Sequence, residues 1–391
     1  MITPVMPTYG RFDLAFERGE GVYLYTIDGR KFLDFVAGIA VTGVGHCHPK
    51  LVQALAGQAE KLWHVSNLYE IPEQTRLAER LVANSFADSV FFNNSGAEAV
   101  EMSIKMARKY QDAQGHPERY RVITVQGAFH GRSLATLAAG RQEKHLAGFG
   151  PVTDGFDQVS FGNLNELRAA IGPETAAILV EPLQGEGGIR PMALDYLRGL
   201  RKAADEFGVL LMFDEVQCGM GRTGKLFAHE WAGIEPDVMA LAKALGGGFP
   251  IGAVLAKEGP AAAMTAGSHG STFGGNPLAC AVGNAVLDVI LEDGFLGRVD
   301  KVARRFWKKL EALVAVHPKI FESVNGAGLM LGLKCVPENI VVVKKLMDGG
   351  LLTVGAGDNV VRMVPPLIIE DSHVDEALAT IDKAASELTK D

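Results

Sequence analysis

Short apolar runs recur through the middle of the chain, and they limit the fold more than any other feature of the sequence. The runs are nearly continuous and rich in Val, Ile, Leu and Phe. They cover Val90–Phe92, Arg121–Val125, Ala176–Val180, Val209–Phe213, Val238–Ala242 and Gly252–Ala256. Continuous apolar runs, as opposed to alternating ones, are typical of strands that are buried on both faces, as in a parallel sheet.

Helical patterns lie between and after these runs. They cover the stretch after Gly96, where apolar residues are three or four positions apart, then Leu197–Phe207, a broken segment from Pro277 to His317, and a final helix near Val374–Leu388. Strands that alternate with helices predict an α/β fold with a mostly parallel central sheet.

The two ends of the chain differ from this middle part. The stretch GVYLYTIDGRKFLDF (residues 21–35) predicts a hairpin with Asp28-Gly29 as its turn. A chain of 391 residues is too long for one simple core. We therefore expect a large α/β domain at residues 46–276, and a smaller α+β lobe formed by residues 1–45 and 277–391.

Composition argues against several classes of partner and site. The net charge is −8 and no block of Lys and Arg reaches four residues, so neither nucleic acid nor an anionic membrane is expected as a partner. Four widely spaced cysteines indicate a reduced, cytoplasmic setting. His46-Cys47-His48 has no matching Cys or His group elsewhere, and we therefore expect no metal site.

The glycine pattern at residues 219–224 has two interpretations, a dinucleotide site and a plain loop. GMGRTG matches the GxGxxG pattern of dinucleotide sites and follows a predicted strand. Such a site needs a tight strand–glycine–helix junction that places the pyrophosphate on the helix N-terminus. Here DEVQC separates the strand from the first glycine, and KLFAHEWAG is a poor helix start. A plain loop is preferred, and a nicotinamide-dependent dehydrogenase is the alternative from another class of enzyme.

Two further stretches have the residue types of a ligand site. Asn93–Glu98 follows a strand and opens a helix, where free amides and a glycine form an anion site. Ser95-x-x-Glu98 is equally a capping box, so this stretch alone leaves both interpretations open. Asp214 ends the strand VLLMF, at the edge where α/β sheets bind ligands; it is either a functional acid or the cap of a loop.

Lys243 interrupts the apolar stretch VMALAKALGGGFPIGAV (residues 238–254). A lysine is costly to bury, and in apolar surroundings its neutral, nucleophilic amine is favoured. The stretch alone does not decide between a Schiff-base lysine and an edge-strand lysine that reaches water. Together with Asp214 and the Ser95 loop, however, it completes the set that a pyridoxal phosphate enzyme requires: a lysine for the aldehyde, a carboxylate for the ring nitrogen and a helix start for the phosphate.

At this point the chain resembles the class III pyridoxal-phosphate-dependent aminotransferases. The matching motifs, which run from about Gly21 to Pro366 in the order of the family, are GRKFLDFVAGIAVTGVGHCHP, NNSGAEA, GAFHGRS, EPLQGEGG, FDEVQCGMGRTG, ALAKALGGGFPIGAV and STFGGNPLAC. The resemblance implies a fold-type I transferase, pyridoxal 5'-phosphate as the cofactor, and a homodimer with its active sites at the subunit interface.

The resemblance also implies a role for each matched residue. Toward the cofactor, Lys243 forms the Schiff base and then carries the proton, Asp214 pairs with the ring nitrogen, Gln217 lies near the phenolic oxygen, Phe129 stacks on the ring, Ser95, Gly96 and Ala97 hold the phosphate, and Thr272 reaches it from the other subunit. Toward the substrates, Arg132 binds a carboxylate, Ser271 lies nearby, Arg362 binds the α-carboxylate of 2-oxoglutarate, and Glu186 pairs with Arg362 when the amino donor is bound.

Within this class, the tracts GIAVTGVGHCHP and LWHVSNLYEIPEQ resemble those of the acetylornithine aminotransferases. Ornithine aminotransferases have a tyrosine where this chain has Ile39. The expected reaction, a step of arginine biosynthesis, moves the terminal amine of N-acetylornithine to 2-oxoglutarate and gives N-acetylglutamate semialdehyde and glutamate. N-succinylornithine, N-succinyldiaminopimelate, ornithine and 4-aminobutyrate remain alternative donors, because a pocket discriminates modestly among such chains.

Overall fold

The structure, a computed structural model, describes residues 3–390. Its strands are β1 (Phe16–Glu20), β2 (Tyr23–Thr26), β3 (Lys31–Asp34), β4 (Ser89–Asn93), β5 (Arg121–Val125), β6 (Phe156–Val159), β7 (Thr175–Val180), β8 (Leu183–Gln184), β9 (Arg190–Pro191), β10 (Leu210–Asp214), β11 (Val238–Leu241), β12 (Gly252–Ala256), β13 (Phe321–Ala327), β14 (Met330–Cys335), β15 (Leu351–Leu352), β16 (Val354–Ala356) and β17 (Val360–Met363). Its helical segments are α1 (Ala37–Ala40), α2 (Pro49–Ala59), α3 (Pro72–Ala83), α4 (Gly96–Ala113), α5 (Leu134–Gly140), α6 (Glu143–Leu146), α7 (Leu164–Ala170), α8 (Leu194–Phe207), α9 (Glu258–Ala262), α10 (Pro277–Ile290), α11 (Phe295–Val316), α12 (Asn339–Asp348) and α13 (Asp371–Leu388).

A seven-stranded sheet with the order β4-β12-β11-β10-β7-β5-β6 lies at the centre of the fold. β12 runs antiparallel to β11 and β4, whereas β11, β10, β7, β5 and β6 pair in parallel. The prediction of a mostly parallel α/β sheet is therefore confirmed, and each of the six predicted strands is present within about two residues. The sequence reasoning missed β6, an edge strand whose FDQV is half polar.

The central sheet is covered on both faces, which explains why its strands are continuously apolar. Along β10, Leu210 and Met212 pack with α4, while Leu211 and Phe213 pack with α8. Successive side chains of a strand point to opposite faces. A strand between two helical layers therefore has an apolar residue at every position, as the sequence predicted.

The N- and C-terminal parts of the chain form further sheets. The predicted hairpin is present as β2 and β3, and Gly29 in its turn has φ 84°. β15 pairs in parallel with β3, so both ends of the chain contribute to one sheet. β13, β14, β17 and β16 form an antiparallel sheet that the sequence reasoning described only as mixed structure. This arrangement supports the proposed domain boundaries, which stay a prediction.

The predicted helical segment from Pro277 consists of two helices. α10 is almost entirely buried and packs against α2 and α3, and Gly294, with φ 80°, separates it from α11. The apolar surface of α10 is thus used inside the protein. Among residues 3–390, no helix has both the length and the apolar character that crossing a membrane requires.

Candidate active site

The carboxyl edge of the central sheet brings three titratable residues together. β10 ends at Asp214, β7 is followed by Glu181, and β11 by Lys243. All three line one cavity of about 400 Å³. Its other walls come from Val41, Asn94, Ser95, Gly96, Ala97, Phe129, His130, Gly131, Arg132, Val216, Gln217, Ala242 and Gly248–Ile251. Ligand sites of α/β sheets lie at this edge, so the cavity is the candidate active site.

Lys243 lies two residues beyond the end of β11, in a tight turn with φ 44°. β11 has β10 on one side and β12 on the other, and its residues are all buried. The interpretation as an edge-strand lysine that reaches water is therefore wrong. Burial, together with the charge of Arg362, lowers the pKa of Lys243, although part of its side chain stays accessible from the cavity. The neutral amine that a nucleophilic lysine needs is thereby favoured.

Asp214 is held rigidly at the end of β10. The residue is 4% exposed. One carboxylate oxygen accepts the backbone N–H of Val216 at 3.1 Å, and the other lies 2.8 Å from Nδ1 of His130. The loop-cap interpretation is partly correct, since one oxygen does hold the following turn. The same carboxylate nevertheless lines the cavity, and it is available to a ligand there.

His130 and Glu181 belong to the same buried cluster, and the sequence reasoning assigned them no role. Burial disfavours a charged ring, but the hydrogen bond to Asp214 and the charges of Asp214 and Glu181 outweigh it and raise the pKa of His130. Burial and the charge of Asp214 raise the pKa of Glu181 to about 7. Glu181 directly follows the predicted strand that ends at Val180, and that position is the signal that could have found it. His130 lies in the quoted motif GAFHGRS, well beyond the strand end at Val125, and no local pattern marks it.

The start of α4 forms one end of the cavity. Ser95 caps the helix, accepting the N–H of Glu98 at 3.2 Å, and the Glu98 carboxylate accepts from the N–H of Asn94 at 2.9 Å. The Ser95 half of the predicted capping box is therefore present, whereas Glu98 reaches the N–H of Asn94, one residue before the cap. The stretch that is also predicted as an anion site faces the cavity, because Ser95, Gly96 and Ala97 all line it. A Cβ on Gly96 would lie 2.7 Å from Cγ1 of Val216, so only glycine lets this helix start approach so closely.

Phe129 and Arg132 lie together at the cavity wall, as the resemblance implied. The Arg132 guanidinium carbon lies 5.6 Å from the centre of the Phe129 ring, within reach of a cation–π attraction. Arg132 is exposed, so its charge is available to an incoming carboxylate. Sequence motifs alone could not show this contact, since it depends on the path of the chain between the two residues.

Glu186 and Arg362 form a direct ion pair. Nη1 of Arg362 donates to Glu186 at 2.5 Å and to the side-chain oxygen of Gln217 at 3.0 Å. Arg362 is 1% exposed, and its Nε has no hydrogen-bond partner among the described residues. Burial opposes ionisation of Glu186, but the charge of and hydrogen bond from Arg362 outweigh it and lower the pKa of Glu186. The predicted pair is thus formed, and through Gln217 it reaches the cavity.

Ser271 and Thr272 do not line this cavity. The Ser271 hydroxyl accepts from Asn94 at 3.3 Å and from the N–H of Gly274 at 2.9 Å, so it supports the wall indirectly. Thr272 is exposed on the same loop. Its predicted role at the cofactor of another subunit stays a prediction.

A strained turn adjoins the cavity and was not foreseen. Ala37, Gly38, Ile39 and Ala40 all have positive φ, between 49° and 65°, and the segment labelled α1 is therefore a left-handed turn. Each non-glycine residue in this conformation costs roughly 1–2 kcal/mol, and a β-branched isoleucine there is a real outlier. The turn leads into Val41 at the cavity wall, which fits the tendency of backbone strain to occur at functional sites.

Two motifs whose residue types also suit ligand or metal binding have structural roles. The glycine pattern at 219–224 lies in a series of turns after β10, followed by a single 3₁₀ turn at Ala228–Ala232, so the junction that a dinucleotide requires is missing. His46 binds Asp34 at 2.7 Å, and the His48 side chain caps α2. Within residues 3–390, no group of three or more His, Cys, Asp or Glu side chains is placed to hold a metal ion.

The family model described as aminotransferase class-III matches residues 5–385. The chain therefore belongs to the class III aminotransferases, which depend on pyridoxal phosphate. It is similar to the acetylornithine aminotransferase of Brucella melitensis, with 58% identity over 388 residues, 99% of this chain and 96% of the relative.

Two solved structures share the fold over almost the entire chain. The N-acetylornithine aminotransferase from Stenotrophomonas maltophilia K279a superposes with a TM-score of 0.86 and 38% identity, covering 98% of each chain. The ornithine aminotransferase from Toxoplasma gondii ME49 has a TM-score of 0.95 and 30% identity, covering 99% of this chain and 93% of that one. These likenesses confirm the fold-type I architecture.

The residues of the cavity fit pyridoxal phosphate. The helix start at Ser95–Ala97 suits a phosphate. Gly96, which permits the close approach of Val216, has no side chain and so leaves room for the phosphate. Asp214 offers a buried carboxylate to a ring nitrogen, and Lys243 an amine to an aldehyde. Within residues 3–390, Nε2 of His130 is buried and has no hydrogen-bond partner, so this end of the cavity has a polar atom that is available to a ligand.

Proposed function

We propose that this aminotransferase moves the terminal amine of N-acetylornithine to 2-oxoglutarate. The observation that carries the proposal is a pair of differently held arginines: Arg132 is exposed at the wall of the cavity, while Arg362 lies behind the wall residue Gln217, which it contacts, and is neutralised by Glu186. A site with two such arginines serves both substrates: a donor whose reacting amine is far from its carboxylate, and an acceptor whose reacting carbon is next to a carboxylate. The name of the Brucella relative supports the choice of donor.

Bound pyridoxal phosphate supplies an electron sink for the carbanion that forms when the reacting carbon loses a proton. The residues of this chain do the rest of the work. Lys243 would hold the aldehyde, and its Nζ would carry the proton between the reacting carbons. Asp214 would keep a proton on the ring nitrogen, and the start of α4 would anchor the phosphate. Phe129 would shield the ring from water.

The Glu186–Arg362 pair acts as a switch between the two substrates. While the pair is closed, Arg362 does not capture the α-carboxylate of the donor near the reacting carbon. When Glu186 swings away, Arg362 presents a planar donor pair to the α-carboxylate of 2-oxoglutarate. Opening is feasible because the Glu186 side chain is 27% exposed, and Gln217 keeps one contact to Arg362 in place.

Replacing Glu186 by glutamine is expected to change the balance of the two half-reactions. Glu186→Gln keeps the shape but removes the charge that neutralises Arg362, so the arginine captures the donor in an unproductive pose. The donor half-reaction should slow about tenfold relative to the glutamate half-reaction, equivalent to roughly 1.4 kcal/mol. Single-turnover kinetics with each substrate measure the ratio. Glu174→Gln, an exposed acid before β7, is the control, and an unchanged ratio in Glu186→Gln would refute the switch.

Free ornithine is the second candidate donor, because the Toxoplasma ornithine aminotransferase superposes with a TM-score of 0.95. Global superposition reports the arrangement of the backbone, whereas substrate choice depends on the side chains at the cavity. The turn before Val41 carries Ile39, which offers no hydrogen-bonding group to a free α-amine. An acylated α-nitrogen needs no such hydrogen-bonding group. The apolar side chain of Ile39 therefore favours N-acetylornithine over ornithine.

A panel of amino donors tests the proposal. N-acetylornithine, N-succinylornithine, N-succinyldiaminopimelate, ornithine and 4-aminobutyrate are compared by kcat/KM for 2-oxoglutarate-dependent formation of glutamate. N-acetylornithine should lead ornithine by more than about tenfold, roughly 1.4 kcal/mol in transition-state binding. A smaller lead, or a different first donor, would overturn the choice of substrate but not the transaminase.

We also propose a homodimer in which Thr272 contacts the cofactor phosphate of the partner's site. The loop that carries Thr272 adjoins an exposed apolar surface: Trp63, Leu68, Tyr69 and Phe273 are each at least 60% exposed. Asn67 donates to the carbonyls of Ser271 and Gly274, both at 3.0 Å, so these residues belong to one surface. Patches of this kind mark protein–protein interfaces.

The buried, unpaired Cys218, Cys280 and Cys335 support a cytoplasmic setting.

Mixed dimers test the role of Thr272. Thr272→Ala and Lys243→Ala chains are each expected to have impaired homodimers. If Thr272 serves the other subunit, a mixed dimer contains one site with both residues intact, and co-refolding the two chains should restore close to half of the wild-type activity per mixed dimer. If no activity returns although mixed dimers form by mass, Thr272 does not act across the interface.

A further inference from the structure

The short turn of α6 packs against the arginine that is expected to bind the donor's carboxylate. His145, half-buried in α6, places Nε2 at 3.2 Å from Nη2 of Arg132. His145 also meets the ring of Phe129 edge-on, with 5.8 Å between ring centres. Arg132, Phe129 and His145 thus form a closed triangle of contacts, of which only Phe129 and Arg132 line the cavity.

The turn that carries His145 is itself anchored. Gln142, the residue before α6, donates its side-chain N–H to the carbonyl of Ala128 at 2.8 Å, and its own carbonyl accepts the N–H of His145 at 2.9 Å. The backbone on both sides of the triangle is therefore linked by hydrogen bonds. This link holds the imidazole at a fixed place beside a long side chain that is otherwise free to move.

Arginine has only donors, so the contact defines the state of the imidazole. Nε2 of His145 has to accept, which requires a neutral ring with its proton on Nδ1. A protonated ring has no acceptor and would also place a second positive charge beside the guanidinium. A hydrogen bond from Arg132 at this position restricts the rotamers of the arginine side chain, which otherwise lose their freedom only on binding a ligand.

We propose that neutral His145 is a positioning residue that aims Arg132 across Phe129 at the carboxylate of the amino donor. This inference rests on the proposed function only for the carboxylate that Arg132 receives. It assigns His145 an effect on donor binding and none on the proton transfer at Lys243, from which it is separated by Phe129 and Arg132. The determinant of donor affinity is therefore the acceptor atom on the imidazole.

The charges around His145 fit this state. Burial, followed by the positive charges of Arg132 and Lys144, lowers the pKa of His145, and the negative charge of Glu186 only partly opposes them. The ring is therefore neutral at neutral pH and becomes protonated only on the acid side of the ordinary histidine pKa of 6.5. Acidification should break the bond to Arg132 and weaken the binding of the donor.

The test measures binding without reaction. N-acetyl-L-norvaline has the acyl group and the carboxylate of N-acetylornithine but lacks the amine, so it does not react. Calorimetry with the holoenzyme gives its Kd. His145→Leu should weaken binding about tenfold, the size of a lost hydrogen bond to a charged group, whereas His145→Gln, whose amide oxygen accepts at the same place, should stay within about twofold. In steady state, His145→Leu should raise KM for the donor and leave kcat unchanged.

The pH dependence distinguishes two roles of His145: positioning of Arg132 by a neutral ring, and direct attraction of the carboxylate by a charged ring. The wild-type Kd should rise on acidification below about pH 6.5, the ordinary histidine pKa from which that of His145 is lowered, while His145→Gln should show no such rise. Lys144→Gln, which removes a neighbouring charge but keeps the acceptor, is the matched control and should keep the wild-type profile, moved to higher pH. Tighter wild-type binding at acid pH, or an equal loss in His145→Gln and His145→Leu, would overturn the proposal.

Failure of the proposed substrate gives a different result. If another donor leads the panel, the analogue of that donor without its reacting amine replaces N-acetyl-L-norvaline, and the same comparison of glutamine and leucine variants decides the role of His145. A chain that transaminates a different carboxylate-bearing donor and shows the His145 effect would refute the substrate and keep the positioning residue.

Discussion

Replacing Lys243 by alanine is expected to abolish transamination and to leave the fold intact. The variant lacks both the amine that holds the aldehyde and the base that moves the proton, so kcat should fall by about 10³-fold or more. Its absorption spectrum should also lose the band of the Schiff base, and borohydride should no longer fix the cofactor to the chain. Stopped-flow half-reactions and the absorption spectrum measure these losses, and circular dichroism checks the fold.

Two controls distinguish the chemistry of Lys243 from its charge. Lys243→Arg keeps a positive charge but has no amine that condenses with an aldehyde, and it should be as inactive as the alanine variant. Lys257→Ala removes a lysine that follows the neighbouring strand β12 and pairs at the surface with Glu235 at 3.4 Å; it should remain active. Comparable turnover by Lys243→Ala would mean that another lysine holds the cofactor.

The lowered pKa of Lys243 gives this variant a second readout in the cofactor-free protein. Between the folded-state pKa and the unfolded value of 10.5, the folded chain binds fewer protons than the unfolded chain. The free energy of unfolding therefore rises with pH through this window. Below the window, the cost of keeping Lys243 protonated in the folded chain is fully present. Lys243→Ala removes the group, so this part of the rise in the free energy of unfolding should disappear.

The central sheet could be predicted from the sequence because its strands are buried on both faces. β10, between α4 and α8, has no polar position before Asp214, and the pattern is unambiguous. β6 has a polar side chain at two of its four positions, and β13 is largely half-buried; neither has a pattern that differs from that of a loop. Their pairing depends on distant strands, which no local pattern reports.

The candidate site was predictable where a residue type and a strand end coincide. Lys243 and Asp214 meet both conditions. His130 acquires its role from Asp214, 84 positions away in the chain, and His145 from the folded position of Arg132, so neither role is visible in local spacing. The left-handed turn at Ala37–Ala40 is equally hidden, because alanine and isoleucine do not favour that conformation and the surrounding fold imposes it.

Asp214→Asn is expected to produce an enzyme that holds its cofactor and no longer turns over at a useful rate. Asparagine keeps the size of the side chain and an oxygen for the N–H of Val216, so the turn after β10 should persist. The negative charge that keeps the ring nitrogen protonated is lost, however, and kcat should fall by about 10³-fold, as for the loss of other buried electrostatic contacts in active sites. Because Lys243 is present, borohydride should still fix the cofactor to the chain, unlike in Lys243→Ala.

The neighbouring acid provides the matched control for Asp214. Glu181→Gln removes the other carboxylate of the cluster, but the oxygens of Glu181 already accept the backbone N–H groups of Phe129 at 2.8 Å and Gly185 at 3.3 Å, so its loss should reduce kcat far less. The Asp214 charge is the second cause, after burial, of the raised pKa of Glu181. In Asp214→Asn that pKa should therefore fall below about 7, which carbon-detected NMR of labelled glutamate measures. A larger loss of activity in Glu181→Gln than in Asp214→Asn would identify Glu181 as the acid that faces the ring nitrogen.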